Sequence, residues 1–301
     1  MSHHVTQSPA AAVPGAGADA AAVVGSWQLS ELLGEGRWSR VYRARPRGLP
    51  PDAPADYAVK LVRADPVGCD GGVQRLQREA LVAREVAHPN LTCILSAHLN
   101  RPPYYHVMPC LSGATAQAAL EAVPQIPAPH ALWIARQAAE ALGALHQRGW
   151  LHSDIKPGNL FVARDGHTTV LDLGLARRLE SAECRAARVV AGTLAYAAPE
   201  SFEPLAELGP AADVYSLGVA LYHLLTGRLP FAAATPSALI AAHLHEVQPD
   251  PRELIPHLPD RVARLLRRML DKVAARRPPT VVLAARLADL EIDTFLARWA
   301  A

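Results

Sequence analysis

Lysine is almost absent from this chain. Only three of its 30 basic residues are lysines, at Lys60, Lys156 and Lys272, and the remaining ones are arginines. Lysine is a compact point charge whereas arginine is a wide planar fork, so the two are not interchangeable at a crowded phosphate site. Because two of the three lysines lie in runs suited to phosphate chemistry, the sequence points to a nucleotide-using enzyme.

A charge bias, paired cysteines and long apolar runs are lacking as well. The net charge of +2 gives no general field for nucleic acid or an anionic membrane. Four scattered cysteines without C-x-x-C or zinc spacing indicate reduced, mostly buried thiols of a cytosolic protein. No stretch approaches about 18 uncharged apolar residues, and no basic region precedes an apolar block at the N-terminus. We therefore expect a soluble, cytoplasmic protein without nucleic-acid or membrane partners.

The composition and periodicity of the sequence change at Trp27. Residues 1–26 are rich in Ala, Gly and Pro and lack periodicity, which predicts a flexible tail. Short strands are expected at 27–29, 40–44, 57–62, 91–99 and 104–109. Helical spacing predicts helices at 74–86, 131–147, 213–226, 237–245 and 260–270. A strand-rich first third followed by a helical remainder indicates an α+β protein with two lobes.

A glycine turn lies between the first two strands. Gly34 and Gly36 would let the backbone approach a polyphosphate, with N–H groups available as donors. Taken alone, this spacing fits an ordinary hairpin turn better. A dinucleotide-binding fingerprint would need a helix after the glycines, and here a strand follows that delivers Lys60.

Two further motifs carry acidic residues. The run His152-Ser153-Asp154-Ile155-Lys156-Pro157-Gly158-Asn159 lies between two short apolar segments. Eighteen positions after its aspartate lies Asp172, within the run Val170-Leu171-Asp172-Leu173-Gly174. Together with the glycine turn and Lys60, these motifs make the chain resemble a eukaryotic-type (Hanks-type) bacterial serine/threonine protein kinase.

The resemblance implies a two-lobed α+β fold. A small β-rich N-lobe is expected at 27–108 and a larger helical C-lobe at 112–287, followed by a short C-terminal tail at 288–301. It also implies ATP and Mg²⁺ as cofactors, with Mn²⁺ as an alternative metal, and protein substrates. The oligomeric state is left open.

The resemblance assigns roles to individual residues. Asp154 would accept or orient the proton of the attacking hydroxyl, and Lys156 would neutralise the migrating phosphoryl group. Asn159 and Asp172 would hold the metal. Lys60 would bind the α- and β-phosphates, with Glu79 as its ion-pair partner.

Other residues would line the nucleotide site. Met108 would guard the adenine pocket, with the Pro109 carbonyl and the Leu111 N–H contacting the base. Glu85 is a rival to Glu79 but lies too close to the helix end, and either glutamate could be an ordinary solvated helix charge. The full expected nucleotide set is Gly34, Glu35, Gly36, Ser39, Val41, Ala58, Lys60, Glu79, Met108, Pro109, Leu111 and Leu160.

Three matches would be structural. Gly192 to Glu200 resembles the end of an activation segment, with Thr193 near the catalytic aspartate. Glu200 would be buried and paired with Arg277. Asp213 would anchor the catalytic loop from a helix.

The chain departs from the family pattern at two positions. Ser39 replaces a glycine, which is tolerable if its backbone needs no positive φ. Ser153 replaces the arginine that, in many family members, pairs with a phosphate on the activation loop. Two alternatives stay open: a nucleotide-holding pseudokinase, disfavoured because Lys60, Asp154 and Asp172 are present, and a small-molecule kinase, disfavoured by the segment that resembles a protein-substrate platform.

Overall fold

The computed structural model describes residues 22–50, 52–64, 69–179, 181, 194–203 and 206–299. The described residues fall into two compact units. The first is drawn from Met1–Leu76 and Ile94–Cys110, and the second from Gln77–Cys93 and Leu111–Ala301. All six strands of the main sheet belong to the first unit and most helices to the second, so the expected α+β class is confirmed.

An antiparallel sheet forms the first unit. Its strands are β1 (Val23–Val24), β2 (Trp27–Glu35), β3 (Ser39–Pro46), β4 (Tyr57–Val62), β5 (Ser96–His98) and β6 (Tyr105–Pro109). They are ordered β1-β2-β3-β4-β6-β5. Alternate apolar side chains pack on one another in a small core that includes Leu29, Val59 and Val107.

Two sequence expectations about this region need correction. The tail was expected to run to residue 26, but Val24 is buried and pairs with Trp27 in β2. A strand was expected over 91–99, but only Ser96–His98 joins the sheet. Leu91 instead forms a bridge with Val170, far along the chain and within the second unit. Residues 1–21 lie outside the described part of the chain.

The helices are α1 (Cys69–Glu85), α2 (Ala116–Ala122), α3 (Ala128–Gln147), α4 (Pro210–Thr226), α5 (Pro236–His245), α6 (Asp260–Met269) and α7 (Thr280–Trp299). Side-chain caps and a left-handed glycine set the ends of several helices. The hydroxyls of Thr115 and Thr235 accept the N–H groups of Ala118 and Ala238 at the starts of α2 and α5. Gly227 ends α4 in the left-handed conformation, at φ 69°.

Helix α3 is the centre of the second unit. It is buried along most of its length and packs against α4 and α7. Helix α7 was not predicted, and the expected domain end at residue 287 lies within it. Leu290 and Thr294, both beyond that point, are buried, because the helix continues across α3.

Short strands frame the functional loops of the second unit. These are β7 (Gly113–Thr115), β8 (Trp150–Leu151), β9 (Leu160–Ala163), β10 (Thr168–Val170) and β11 (Arg177–Arg178). Strand β9 pairs with both β7 and β10, and β8 pairs with β11. The loop between β8 and β9 carries Asp154, and the segment after β10 carries Asp172.

Candidate active site

Asp154 occupies the centre of the loop between β8 and β9. Its side chain is only 5% exposed. Carboxylate oxygen Oδ2 accepts a hydrogen bond from Lys156 Nζ at 2.8 Å and another from Asn159 Nδ2 at 3.0 Å. Oxygen Oδ1 is buried and has no hydrogen-bond partner among the described residues. Buried polar atoms are normally paired, so this oxygen has an unused capacity to accept a hydrogen bond.

The loop is held from helix α4 by Asp213. Its Oδ2 accepts from the His152 N–H at 2.9 Å and its Oδ1 from the Ser153 N–H at 2.9 Å. Full burial by itself raises the pKa of Asp213, but the imidazole of His146, 2.8 Å from Oδ2, and the hydrogen bond from the His152 backbone N–H outweigh burial and lower it. The expectation that Asp213 anchors the catalytic loop is confirmed.

His152 supports the same loop from inside. Its Nε2 lies 3.0 Å from the carbonyl of Leu171, and its Nδ1 accepts the N–H of Asp154 at 3.2 Å. A ring that donates at Nε2 and accepts at Nδ1 is the neutral tautomer. The imidazole thus joins the catalytic loop to the residue directly before Asp172.

Ser153 adopts a positive φ of 66°, which is uncommon for a residue with a side chain. Its hydroxyl is buried and has no partner within the described residues. The two hydrogen bonds that Asp213 accepts from this stretch hold the backbone in place despite the cost of that conformation, about 1 kcal/mol or more.

The two expected metal ligands are neighbours. The N–H of Leu171 donates to the Asn159 carbonyl at 2.8 Å, which brings Asp172 next to Asn159. Asp172 is left-handed, at φ 64°, and accepts the Gly174 N–H at 3.3 Å. The Asn159 amide N–H is used by Asp154, so its amide oxygen remains available as a ligand.

This donor set fits Mg²⁺. In the described part of the chain, no three His, Cys, Asp or Glu side chains cluster as a closed metal site. Mg²⁺ prefers oxygen ligands and usually takes one or two from the protein, with the rest from water and substrate phosphates. One carboxylate and one amide oxygen match that preference.

The expected phosphate-binding residues lie on neighbouring strands of the first unit. Gly34 and Glu35 end β2, and the Gly36 N–H donates to the Ser39 carbonyl at 2.9 Å to close the turn. The Glu35 carboxylate accepts from Arg40 at 3.0 Å and Arg63 at 2.7 Å. Glu35 therefore fastens the turn. Ser39 does not adopt a positive φ, so its replacement of glycine is tolerated.

The other expected nucleotide-binding residues of the sheet lie opposite one another on neighbouring strands. Val41 on β3 lies opposite Lys60 on β4, and Ala58 lies opposite Met108 on β6. Direct partners in antiparallel strands share a face, and residues two apart do too, so these four side chains share one face of the sheet. Pro109 ends β6.

The expected residues of the second unit occupy different environments. Glu79 on α1 is 4% exposed and Leu160 on β9 is fully buried, whereas Leu111 is exposed. Glu85, the rival of Glu79, accepts from Trp150 Nε1 and from Arg178, both at 2.8 Å. Glu85 therefore joins α1 to β8 and β11.

Glu200 and Arg277 form the expected ion pair, although Glu200 is half-buried rather than buried, with 12% of its side chain exposed. The two guanidinium N–H groups lie 2.6 and 2.8 Å from the two carboxylate oxygens of Glu200. The Arg277 side chain has no exposed surface and also donates to the carbonyls of Ala211 and Asp271. This bidentate ion pair holds the end of the segment that resembles an activation segment. Thr193 lies outside the described residues.

Some supporting residues gave no sequence signal. His146 reaches Asp213 from α3, but a histidine on an apolar helix looks like ordinary core. Trp38, at the tip of the glycine turn, is flanked by the guanidinium groups of Arg37 and Arg75, 4.8 and 5.2 Å from the ring centroid. A Cβ at Gly71 would lie 2.9 Å from the Trp38 ring, so glycine permits that contact.

Two expectations concern the cysteines and the membrane. The thiols were expected to be mostly buried, but Cys93 is exposed and Cys110 is half-buried. Both are free, and their side chains occur in loops rather than in the core. Cys184 and the side chain of Cys69 lie outside the described part of the structure. Among the described helices, none is long and apolar enough to cross a membrane.

Comparisons with known proteins agree with this geometry. The family profile described as "Protein kinase domain" matches residues 27–286. Serine/threonine-protein kinase PknJ of Mycobacterium tuberculosis is 35% identical over 79% of this chain and 41% of its own length. For serine/threonine-protein kinase PrkC of Bacillus subtilis the identity is 30%, over 81% of this chain and 37% of the relative.

A third relative is the DNA damage-responsive serine/threonine-protein kinase RqkA of Deinococcus radiodurans, 32% identical over 88% of this chain and 39% of its own length. The chain thus spans about two fifths of the length of these curated relatives. The resemblance drawn from the motifs is confirmed, and with it the kinase fold. The chain belongs to the protein kinase domain family, and its relatives there are bacterial serine/threonine kinases.

Proposed function

We propose that this chain is a serine/threonine protein kinase that transfers the γ-phosphoryl group of ATP to hydroxyl groups of protein substrates. The observation that carries the proposal is the state of the Asp154 carboxylate. One oxygen is held by Lys156 and Asn159, and the other is buried without a partner among the described residues. A substrate hydroxyl would supply the donor that this oxygen needs.

The reaction follows from this geometry. The hydroxyl donates a hydrogen bond to Asp154 Oδ1, which aims the hydroxyl oxygen at the γ-phosphorus. As the new P–O bond forms and the bond to the β–γ bridging oxygen breaks, the hydroxyl proton passes to Asp154 and ADP leaves. Lys156 Nζ, hydrogen-bonded to Oδ2, would place a positive charge beside the phosphoryl group as it is transferred.

Asn159 and Asp172 are the residues proposed to hold the metal ion. When bound, Mg²⁺ would supply positive charge to offset the negative charge that develops on the ATP phosphates. The Asp172 carboxylate and the Asn159 amide oxygen would orient the ion. The backbone link between Leu171 and Asn159 keeps the two ligands at a fixed spacing.

Most of the residues proposed to bind the nucleotide lie in the first unit. The glycine turn would offer N–H groups to the phosphates, and Lys60, steadied by Glu79, would pair with their charge. Val41, Ala58 and Met108 share a face of the sheet with Lys60, which supports a common apolar wall for adenine. Leu160 is proposed as a further nucleotide-binding residue, and Pro109 and Leu111 as those that supply backbone contacts.

Serine and threonine are the proposed acceptors. Lys156, two positions after Asp154, is typical of kinases for short hydroxyl side chains, and the matched relatives are named as serine/threonine kinases. Autophosphorylation is proposed on Thr6, Ser8 or Ser181, of which the first two lie outside the described residues. Acid hydrolysis that releases mainly phosphotyrosine would contradict this part of the proposal.

The central experiment replaces Asp154 by asparagine. Asp154→Asn keeps the shape but removes the proton acceptor, so transfer of ³²P from ATP to a generic basic protein should fall by about 10²–10⁴. Asp165→Asn is the matched control, because Asp165 is an exposed turn residue that accepts the His167 N–H. Its rate should equal that of the unmodified chain.

Two results would overturn the proposal or part of it. A wild-type chain that transfers no phosphate with either Mg²⁺ or Mn²⁺ would indicate a nucleotide-binding scaffold instead. Lys60→Met should remove most transfer as well, and normal activity of this variant would show that the nucleotide site is wrongly assigned.

We also propose the wider context of the domain. The kinase domain is taken as 27–287, with lobes at 27–108 and 112–287, although α7 continues to Trp299. A cytoplasmic location is supported by the free, accessible thiol of Cys93. Fractionation of cells that express the chain tests this location.

A further inference from the structure

Trp38, at the tip of the glycine turn, lies directly against the first turn of α1. A Cβ added at Gly71 would be 2.9 Å from the Trp38 ring atom Cζ3 and 3.3 Å from Cε3 and Cη2. A Cβ added at Gly72 would be 3.1 Å from the Trp38 carbonyl oxygen and 2.8 Å from Val62 Cγ1. A side chain at either position would therefore push against the tip of the turn.

Two successive glycines are unfavourable in a helix. Glycine lowers helix stability relative to alanine, because it loses more backbone freedom on folding. Neither Gly71 nor Gly72 has a positive φ, so the backbone conformation does not require glycine there. The close approach of Trp38 and Val62 does require it. The first turn of α1 is thus less stable than it could be, and in exchange it lies in contact with the glycine turn.

The Trp38 ring and backbone are both held in place. The guanidinium groups of Arg37, beside it in the chain, and Arg75, on α1, lie 4.8 and 5.2 Å from the ring centroid. These distances are typical of cation–π contacts. The Trp38 carbonyl accepts the Arg63 N–H at 3.0 Å, which fixes the backbone of the tip. Trp38 therefore joins the glycine turn to α1.

Helix α1 links this contact to the proposed nucleotide site. Gly71, Arg75 and Glu79 are spaced four residues apart on one side of the helix, about 12 Å from end to end. The first two contact Trp38, and the third is the proposed partner of Lys60. Because a helix moves as a stiff unit over two turns, a shift at Gly71 would also displace Glu79.

We propose that Trp38 is a positioning residue for the nucleotide. It holds the glycine turn against α1, so that the N–H groups of the turn and the Glu79 carboxylate are set in place together. The inference rests on the nucleotide site proposed above. Coupling of this kind is reciprocal. Nucleotide bound at the turn would order α1, and a displaced α1 would weaken nucleotide binding.

Substitutions on both sides of the contact test the proposal. The probe is the non-hydrolysable ATP analogue AMP-PNP with Mg²⁺. Trp38→Leu removes the ring and Gly71→Ala displaces it, so each should raise the Kd about tenfold. In the double variant the smaller leucine leaves room for the alanine Cβ. The combined effect should therefore stay well below the roughly hundredfold rise expected of two independent substitutions.

Two matched controls lie on α3. Trp133 also stacks on an arginine, Arg136, at 4.9 Å, and the Cβ of an alanine at Gly143 would meet nothing closer than 3.9 Å. Trp133→Leu and Gly143→Ala should leave the Kd unchanged. Thermal melts show which variants are folded. Gly71→Ala keeps the Trp38 side chain, so it tests the contact even if Trp38→Leu is unstable.

Hydrogen exchange separates positioning from a general loss of stability. Saturating AMP-PNP should slow amide exchange at residues 71–76 of the wild type. The same treatment should give little protection there in Trp38→Leu, although its site is also saturated. Trp38→Phe keeps a flat ring and should regain most of the protection. Unchanged exchange at 71–76 in the nucleotide-bound wild type overturns the link to α1.

The other outcomes are equally distinct. A wild-type Kd in Trp38→Leu, or effects of the two substitutions that simply multiply, overturns the role of Trp38. A chain that binds AMP-PNP as expected but transfers no phosphate from ATP overturns the proposed function and leaves the role of Trp38 supported. A chain that binds no nucleotide overturns both.

Discussion

Ser153, directly before the proposed catalytic residue Asp154, stands where the family pattern often has an arginine that pairs with a loop phosphate. Its backbone is fixed by Asp213, and its hydroxyl is buried. A serine cannot offer the bidentate cationic fork that a phosphate needs. Among the nearby arginines, Arg178 is engaged with Glu85. The catalytic loop of this chain is thus held by a carboxylate from α4, independently of a phosphate.

We therefore predict a kinase that is competent before loop phosphorylation. Protein treated with phosphatase, and Ser181→Ala, should show initial rates on a peptide within about tenfold of the phosphorylated protein, a difference of roughly 1.4 kcal/mol in barrier. Initial rates after removal of the phosphatase give the answer. A lag or a larger loss, reversed as the protein phosphorylates itself, would show that the loop phosphate does control activity.

Among the helices, α4 and α6 approach unusually closely at Gly218. A Cβ there would lie 2.9 Å from the Cβ of Met269 and 3.2 Å from Leu270 Cδ2. We predict that Gly218→Ala lowers the free energy of unfolding by about 1–3 kcal/mol, because overpacking outweighs the better helix propensity of alanine. Urea denaturation measures the change.

Gly143 in α3 provides the matched control for this prediction. It is also a buried helical glycine, but the nearest atom to its added Cβ is Thr280 Oγ1 at 3.9 Å. Gly143→Ala should therefore raise the free energy of unfolding by up to about 1 kcal/mol. Equal effects of the two substitutions would mean that close helix packing at Gly218 does not matter.

The stability of the whole molecule should depend on pH through His243. This side chain is fully buried beside Phe231, with Nδ1 3.0 Å from the Tyr215 hydroxyl. Burial, reinforced by the charge of Lys272, lowers the pKa of His243 from 6.5 to about 4. Between these values the unfolded chain binds a proton that the folded chain does not, so stability falls as the pH falls.

The cost reaches about 3 kcal/mol once both states are protonated. We predict that His243→Gln, whose amide oxygen still accepts the Tyr215 hydroxyl, loses less stability between pH 7 and pH 4 than the wild type. Chemical denaturation at several pH values isolates the difference from that of the other histidines. Parallel losses in the two proteins would assign the acid sensitivity to other groups.

Short sequence motifs predicted the features that depend on residues close together in the chain. The loop around Asp154 and the ion pair of Glu200 could be read from short motifs. The strand expected at Leu91 failed because its backbone pairs with Val170, which no local pattern contains. The role of His146 depends on α3 and α4 lying side by side, and that packing is likewise invisible in a single segment.

The scarcity of lysine has a practical consequence for chemical labelling. Amine-directed reagents mark many surface positions on most proteins, but here the side-chain targets are three. Lys156 Nζ is bonded to Asp154, and Lys272 Nζ donates to the His243 carbonyl at 2.7 Å. Bound nucleotide should lower the yield of acylation at Lys60 and Lys156. Mass spectrometry would measure this change with little signal from other side chains.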